Sequence, residues 1–165
     1  QDKKTNIIFR NYNTKLDIEK LKILRNLCKK KGCNFFLSNN VKLAIKLRLD
    51  GVYLPSFNKS FNHLAYNLRK KFIILGSAHS IQELNIKKFQ AVKFFFVSSL
   101  FKKNKNYLGI YKFKFFENFI KKGLIALGGI NEKNIKKLGL LDIYGYAGIS
   151  YFKKKAPLKK GPFNF

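Results

Sequence analysis

The sequence predicts an α/β protein of the (β/α)8 TIM-barrel type, lacking its first strand. Three observations carry that reading. Seven short apolar runs, rich in β-branched and aromatic residues, recur along the 165 residues, and each reads as a strand buried on both faces. Segments with helical spacing lie between them. No long linker or low-complexity tract interrupts the rhythm, so residues 1–152 are expected to form one domain, followed by a basic tail over 153–165. Such alternation calls for a parallel sheet with helices outside, and seven or eight units favour a closed barrel over an open flavodoxin-like sheet. An eighth strand would have to precede residue 6, and QDKKT cannot supply it.

The expected strands are NIIFRNY (6–12), NFFLS (34–38), GVYLP (51–55), FIILGS (72–77), VKFFFVSS (92–99), LIALGG (124–129) and IYGYAGIS (143–150). The clearest helix places Leu16, Leu21, Leu24, Leu27 and Cys28 on one face. It is entered through Thr14, with Asp17 three residues later in a capping-box pattern. Further helices are expected from Asn40, Ser60, Ser80, Tyr111 and Asn131. Ser80 with Glu83 repeats the capping-box spacing, and Asn131 is a good N-cap residue type.

Composition narrows the function. The formal net charge is +27, from 35 basic and 8 acidic residues, and only Arg10, Arg25, Arg48 and Arg69 among the basic residues are arginine. Lysines are scattered along the whole chain. Base readout and bidentate phosphate clamps use arginine's planar fork, so no specific nucleic-acid partner is expected, although the surface would draw in small anions. No apolar run approaches the roughly 20 residues that span a bilayer, and the start lacks a secretory pattern. No membrane partner and a cytoplasmic location are expected; a homo-oligomer is compatible with the sequence. Cys28 and Cys33 fit neither a disulfide framework nor a zinc site and read as reduced core thiols. Of the two histidines, His79 stands at a strand end, facing a site or capping the next helix, whereas His63 falls on the surface of an outer helix.

The glycine pair after LIAL raises the chemical question. In a parallel barrel, ligands sit at the carboxyl ends of the strands, and a phosphate often lies over the last two loops. Gly128 and Gly129 end the penultimate expected strand, while Gly148, Ile149 and Ser150 end the last. A Cβ at either member of the pair is expected to hold an anion back from the backbone amides. Gly129→Asp should then abolish ligand affinity and spare the fold.

With LIALGGIN and GYAGIS in this order, the chain resembles the thiamine phosphate synthase family, which also contains the thiazole tautomerase branch. The resemblance runs through IIFRNYN, CNFFLSNNVKLAIKLRLDGVYLP, ILGSAHSIQE, AVKFFFVSSLFKKNK, IALGGIN and AGIS. It implies a (β/α)8 barrel and a transferase that joins hydroxymethylpyrimidine pyrophosphate to thiazole phosphate, releasing pyrophosphate with Mg2+ help. The implied partners are small phosphorylated heterocycles. Carried over by position, Arg10 matches a pyrophosphate-gripping arginine, Asn39 the asparagine of an Asn-Asp pair, Ser77 the serine before an Ala-His turn, and Lys105 a pyrophosphate-holding lysine. Gly128, Gly129, Gly148, Ile149 and Ser150 match the thiazole phosphate cup. His79, Ser98 and Ser99 are further candidates.

Departures from the family pattern bear on the metal. The aspartate that would hold Mg2+ is Asn40 here, and Pro55, Ser56 and Phe57 replace acidic residues after the third strand. A neutral amide is a poor ligand for this hard cation. Ser98 and Ser99 stand where the tautomerase branch has a histidine, which argues against acid-base chemistry at that point. The other readings the sequence leaves are a non-catalytic or regulatory barrel that binds a phosphorylated ligand and, on charge alone, a nucleic-acid binder.

Overall fold

Apolar runs became strands where they were continuous and helices where they were spaced, and the result divides into two compact units, residues 1–96 and 97–165. The structure is a computed structural model and describes residues 5–12, 15–149 and 151–152. Ser150, the entry at Thr14 and the tail over 153–165 lie outside the described residues.

The first unit runs β1 (Ile7–Phe9), α1 (Ile18–Lys30), β2 (Phe35–Ser38), α2 (Val41–Lys46), β3 (Gly51–Leu54), a 3-10 turn (Asn62–Ala65), β4 (Ile73–Ala78), α3 (Ile81–Phe89) and β5 (Phe94–Val97), which ends at the unit boundary. Adjacent strands pair in parallel, with Ile8 opposite Phe36, Leu37 opposite Val52 and Tyr53 opposite Leu75. Strands β2 and β3 are buried at every residue, as expected of strands covered on both faces. β1 is only half-buried.

Caps fix where the helices begin. Asn40 accepts from the Leu43 amide at 3.0 Å, and Ser80 accepts from the Glu83 amide at 3.2 Å. The Glu83 carboxylate reaches back to the His79 amide at 2.7 Å, so orphan amides at this helix entrance are met by two side chains. At α1 the cap is Asp17 itself, accepting from the Lys20 amide at 3.0 Å. A carboxylate at the N-cap also meets the positive helix end, and the helix begins later than the Thr14 spacing suggested. Its inner stripe is Leu21 and Cys28, whereas Leu27 is exposed.

Two expected helices are only 3-10 turns. After Ser60, the Asn58 side chain accepts from the Ser60 amide and the Ser60 hydroxyl from the Asn62 amide, local bonds that compete with helix formation. After Asn131, its side chain accepts from the amides of Lys133 and Asn134, and the turn Ile135–Leu140 follows. That turn belongs to the second unit, with α4 (Gly109–Glu117), β6 (Leu124–Leu127) and β7 (Gly145–Ala147). β6 and β7 pair in parallel, Ala126 opposite Tyr146, over a core that includes Phe113, Phe116, Leu124, Ala126 and Leu138. α4 begins at Gly109 without a side-chain cap, two residues before the expected Tyr111. Seven strands therefore stand among the described residues in a parallel α/β fold. Of the cysteines, Cys28 is a core thiol as expected, while Cys33 is only half-buried.

Gly51 shows how closely β3 and β4 approach. A Cβ there would lie 1.9 Å from the Ile73 carbonyl oxygen, so any side chain must displace backbone rather than a rotamer. Gly51→Ala is expected to destabilise the protein by on the order of 3 kcal/mol or more, measured by urea unfolding; an unchanged midpoint would refute that packing.

Candidate active site

The residues with chemical potential in the first unit collect just beyond the carboxyl ends of its strands. Arg10 follows β1, and its guanidinium carbon lies 5.5 Å from the centroid of the Tyr12 ring and 5.9 Å from that of Tyr53. Both contacts are within cation-π range. Each ring is itself held. Tyr12 bonds the Ser38 hydroxyl at 2.5 Å and meets Phe57 edge-on at 5.6 Å, and Tyr53 meets Phe96 edge-on at 5.4 Å. Tyr53 is buried, and burial pushes its phenol up, against the opposing effects of the Ser77 hydrogen bond and of Arg10. Arg10 and Ser77 thus meet on one buried tyrosine.

Asn39 joins the same cluster through backbone. It sits in the left-handed region, φ 57°, and its amide donates to the Tyr53 carbonyl at 2.8 Å. Asparagine is among the few residues that adopt this conformation readily. Its side-chain oxygen accepts from the Asn58 amide nitrogen at 2.6 Å. Asn39, Asn40, Lys42, Asn58, Ser60 and His63 line a shallow cavity of ≈ 160 Å³. His79, also considered at this face, is half-buried, and its backbone amide serves the helix cap.

At that cavity, through His63, begins a polar core that the sequence did not disclose. Lys87 and Gln90 are both fully buried, as is His63, at 4% exposure. His63 is therefore not the surface residue expected. Its Nε2 donates to the Gln90 carbonyl at 2.9 Å, because a short 3-10 turn tucks inward where a longer helix would have faced water. Burial lowers the Lys87 pKa from 10.5 to about 8, with Glu83 opposing the shift.

The residues present do not fit the metal that the resemblance implies. Among the described residues, no three His, Cys, Asp or Glu side chains come together. The Asn40 oxygen is taken by the α2 cap and the Asn39 oxygen by Asn58. Neither is placed as the carboxylate that Mg2+ takes.

In the second unit the glycine pair has a packing cause that the sequence did not show. Gly128 and Gly129 have φ of 104° and 77°, a region open to glycine. A Cβ on Gly128 would fall 2.6 Å from the Ser99 hydroxyl, and one on Gly129 would fall 2.4 Å from the Lys102 nitrogen. The space a side chain would need is filled by the loop after β5. That loop is bonded to the turn: the Phe101 amide donates to the Gly128 carbonyl at 2.8 Å, and the Leu100 amide to the Leu127 carbonyl at 2.9 Å. Ser98 and Ser99 are buried, and the Ser99 hydroxyl donates to the Lys102 carbonyl at 2.9 Å, which closes the same loop. Lys105 is exposed on it. Gly148 is roomier, since its Cβ would make an ordinary 3.7 Å contact with Tyr151, and Ile149 is exposed.

These features define a parallel α/β protein whose candidate site residues stand at or just after the carboxyl ends of its strands. A family model described as thiamine monophosphate synthase matches residues 2–152, and the chain belongs to that family. It is 31% identical over 120 residues to the thiamine-phosphate synthase of Helicobacter pylori (strain Shi470), covering 69% of this chain and 55% of that protein. Against the thiamine-phosphate synthase of Methanococcus vannielii it is 25% identical over 142 residues, 84% of this chain and 68% of that one. The solved thiamine phosphate pyrophosphorylase from Pyrococcus furiosus superposes with a TM-score of 0.72 at 24% identity, over 87% of this chain and 70% of that one. The chain thus spans about half the length of the Helicobacter relative. No helix among the described residues is long and apolar enough to cross a membrane.

Two outcomes follow from this geometry. Gly129→Ala and Gly129→Asp are both expected to destabilise the fold, whereas Gly148→Ala should leave it within about 1 kcal/mol; equal thermal midpoints for all three variants would contradict the packing. For Lys87, the unfolded chain keeps its proton to about pH 10.5 while the folded chain releases it near 8. Stability therefore rises with pH across that window and is flat below it. Relative to Lys87→Met, the native protein should gain up to roughly 3 kcal/mol between pH 8 and 10.5, at about 1.4 kcal/mol per unit. A constant difference in urea unfolding would show that the ammonium is not desolvated.

Proposed function

We propose that this protein is a thiamine phosphate synthase-like transferase, joining hydroxymethylpyrimidine pyrophosphate to thiazole phosphate with release of pyrophosphate. The family match over residues 2–152 carries the reading. Seven parallel strands then belong to a (β/α)8 barrel whose remaining strand is not among the described residues, and the enzyme works in the cytoplasm.

The chemistry is a substitution at the pyrimidine methylene. The carbon–oxygen bond breaks with its electron pair leaving on pyrophosphate, and the thiazole nitrogen lone pair forms the new carbon–nitrogen bond. No proton need move in that exchange. What the protein must supply is stabilisation of the negative leaving group and shelter for a cationic methylene. Arg10, steadied on two tyrosine rings, is the leading charge for the pyrophosphate, supported by Ser77 and Asn39; Lys105 is assigned to it by the resemblance alone. The exposed rings of Tyr12 and Phe57 offer π faces to a pyrimidine cation. The thiazole phosphate falls to Gly128, Gly129, Gly148, Ile149 and Ser150, with Ser98 and Ser99 shaping the loop beside the glycine pair. Mg2+ would add charge to the pyrophosphate, but the residues present make no carboxylate set for it, and no step is assigned to it.

Incubating the purified protein with both heterocycles and Mg2+ should yield thiamine phosphate and pyrophosphate in equal amounts. Arg10→Met should lower kcat/KM by about 100-fold, the scale of one lost charge-stabilising group. Folded protein that binds the substrates calorimetrically but forms no product would overturn the transferase reading in favour of a ligand-binding barrel.

A further inference from the structure

A fully buried lysine needs a reason. Lys87 projects from α3, and no carboxylate among the described residues lies within ion-pair distance of it. Its ammonium donates to the Asn58 carbonyl at 2.7 Å and to the Gln90 side-chain oxygen at 2.8 Å. An apolar residue would fill such a place without the desolvation penalty of a charge.

The bonds around it form a chain whose polarity is fixed at both ends. An ammonium can only donate, so the end of Gln90 facing Lys87 must be its oxygen. The Gln90 amide nitrogen then faces the loop after β3, donating to the Ser60 carbonyl at 2.8 Å and the Asn58 carbonyl at 3.1 Å. A backbone N–H can also only donate. The Ser60 amide therefore fixes the Asn58 side-chain oxygen, at 2.9 Å, and leaves the Asn58 nitrogen to donate to Asn39 at 2.6 Å. Asn39 must meet it with oxygen, so its own amide nitrogen is the end turned away from Asn58. That end belongs to an exposed residue on the cavity wall.

We propose that Lys87, acting with Gln90, is a positioning residue: it anchors the backbone of Asn58, whose side chain the Ser60 amide orients, and so sets Asn39 to offer N–H donors, the polarity that suits a diphosphate oxygen and not a metal ion. The assignment of a diphosphate rests on the transferase reading above. The orientation of Asn39 does not. Burial lowers the lysine pKa, with Glu83 opposing the shift, which fits an ammonium whose hydrogen-bond acceptors are neutral oxygens.

Two variants and two readouts test the idea. Lys87→Met removes the donor that fixes Gln90. Gln90→Glu keeps volume and gives Lys87 a counter-ion, but removes the donors to Asn58 and Ser60. In 15N spectra, both should move the side-chain amide resonances of Asn39 and Asn58 while resonances of the second unit stay in place. In the assay, both should raise KM for the pyrimidine pyrophosphate about tenfold and leave KM for the thiazole phosphate unchanged. Lys87→Met should add nothing further on an Asn58→Ala background. Folded variants with native Asn39 resonances and native KM values would overturn the proposal, as would shifts spread evenly through the fold. If the native protein makes no thiamine phosphate, the transferase reading fails, while the resonances still decide whether Lys87 orients Asn39.

Discussion

A desolvated ammonium hydrogen-bonded only to neutral oxygens is the constraint on which the first unit's site depends. Lys87 cannot be hydrated where it sits, so its donors must be met by the Asn58 carbonyl and the Gln90 side chain. Meeting them draws the loop after β3 onto α3. That loop has little regular structure of its own, only the turn Asn62–Ala65, and without these bonds it would be an ordinary surface connection. With them it becomes a wall that stands beside β2 and bonds the Asn39 side chain through Asn58.

The same substitution of neutral partners for charged ones runs through the rest of the cluster. Arg10 is supported by the faces of Tyr12 and Tyr53 rather than by carboxylates. An aromatic face steadies a guanidinium without neutralising it, so the positive charge stays directed at an incoming anion. The chain has only eight acids, and those with clear roles are spent on architecture: Asp17 caps α1, Glu83 caps α3, and Asp50 accepts from the Phe35 amide at 2.9 Å to tie β2 to the turn before β3. A protein with few acids and a large positive charge attracts phosphorylated ligands by its field and then needs uncharged donors to orient them.

What the sequence made legible follows from the range of each interaction. Continuous apolar runs located all seven strands, because a strand buried on both faces needs no distant partner to be recognised. Asn40 and Ser80 were legible as caps, since a cap bonds three residues away. Helix length after Ser60 and Asn131 was not, because short-range side-chain bonds to the backbone outcompeted the helical pattern there. His63, Lys87 and Gln90 were invisible as a unit: Gln90 stands 32 residues from Asn58, and nothing local distinguishes Lys87 from the other lysines. The glycine pair was seen, but the loop packed against it was not. Two glycines at a strand end signal close approach, and only the three-dimensional arrangement shows that the approaching group is the Ser99–Lys102 backbone. Arg10 and Asn39 were found by resemblance to the family, whereas the contacts of Tyr12 and Tyr53 that hold them were not legible.

The central claim is that Arg10 and a pre-oriented Asn39 receive a diphosphate as a defined site and not as part of a diffuse basic surface. Titrating 15N-labelled protein with inorganic pyrophosphate at about 0.15 M salt, where exposed charges are screened beyond roughly 8 Å, tests this directly. Saturable shifts confined to the Arg10 and Asn39 side chains and the backbone around Ser77 are the predicted result. Shifts distributed over the exposed lysines and lost at that salt concentration would contradict it.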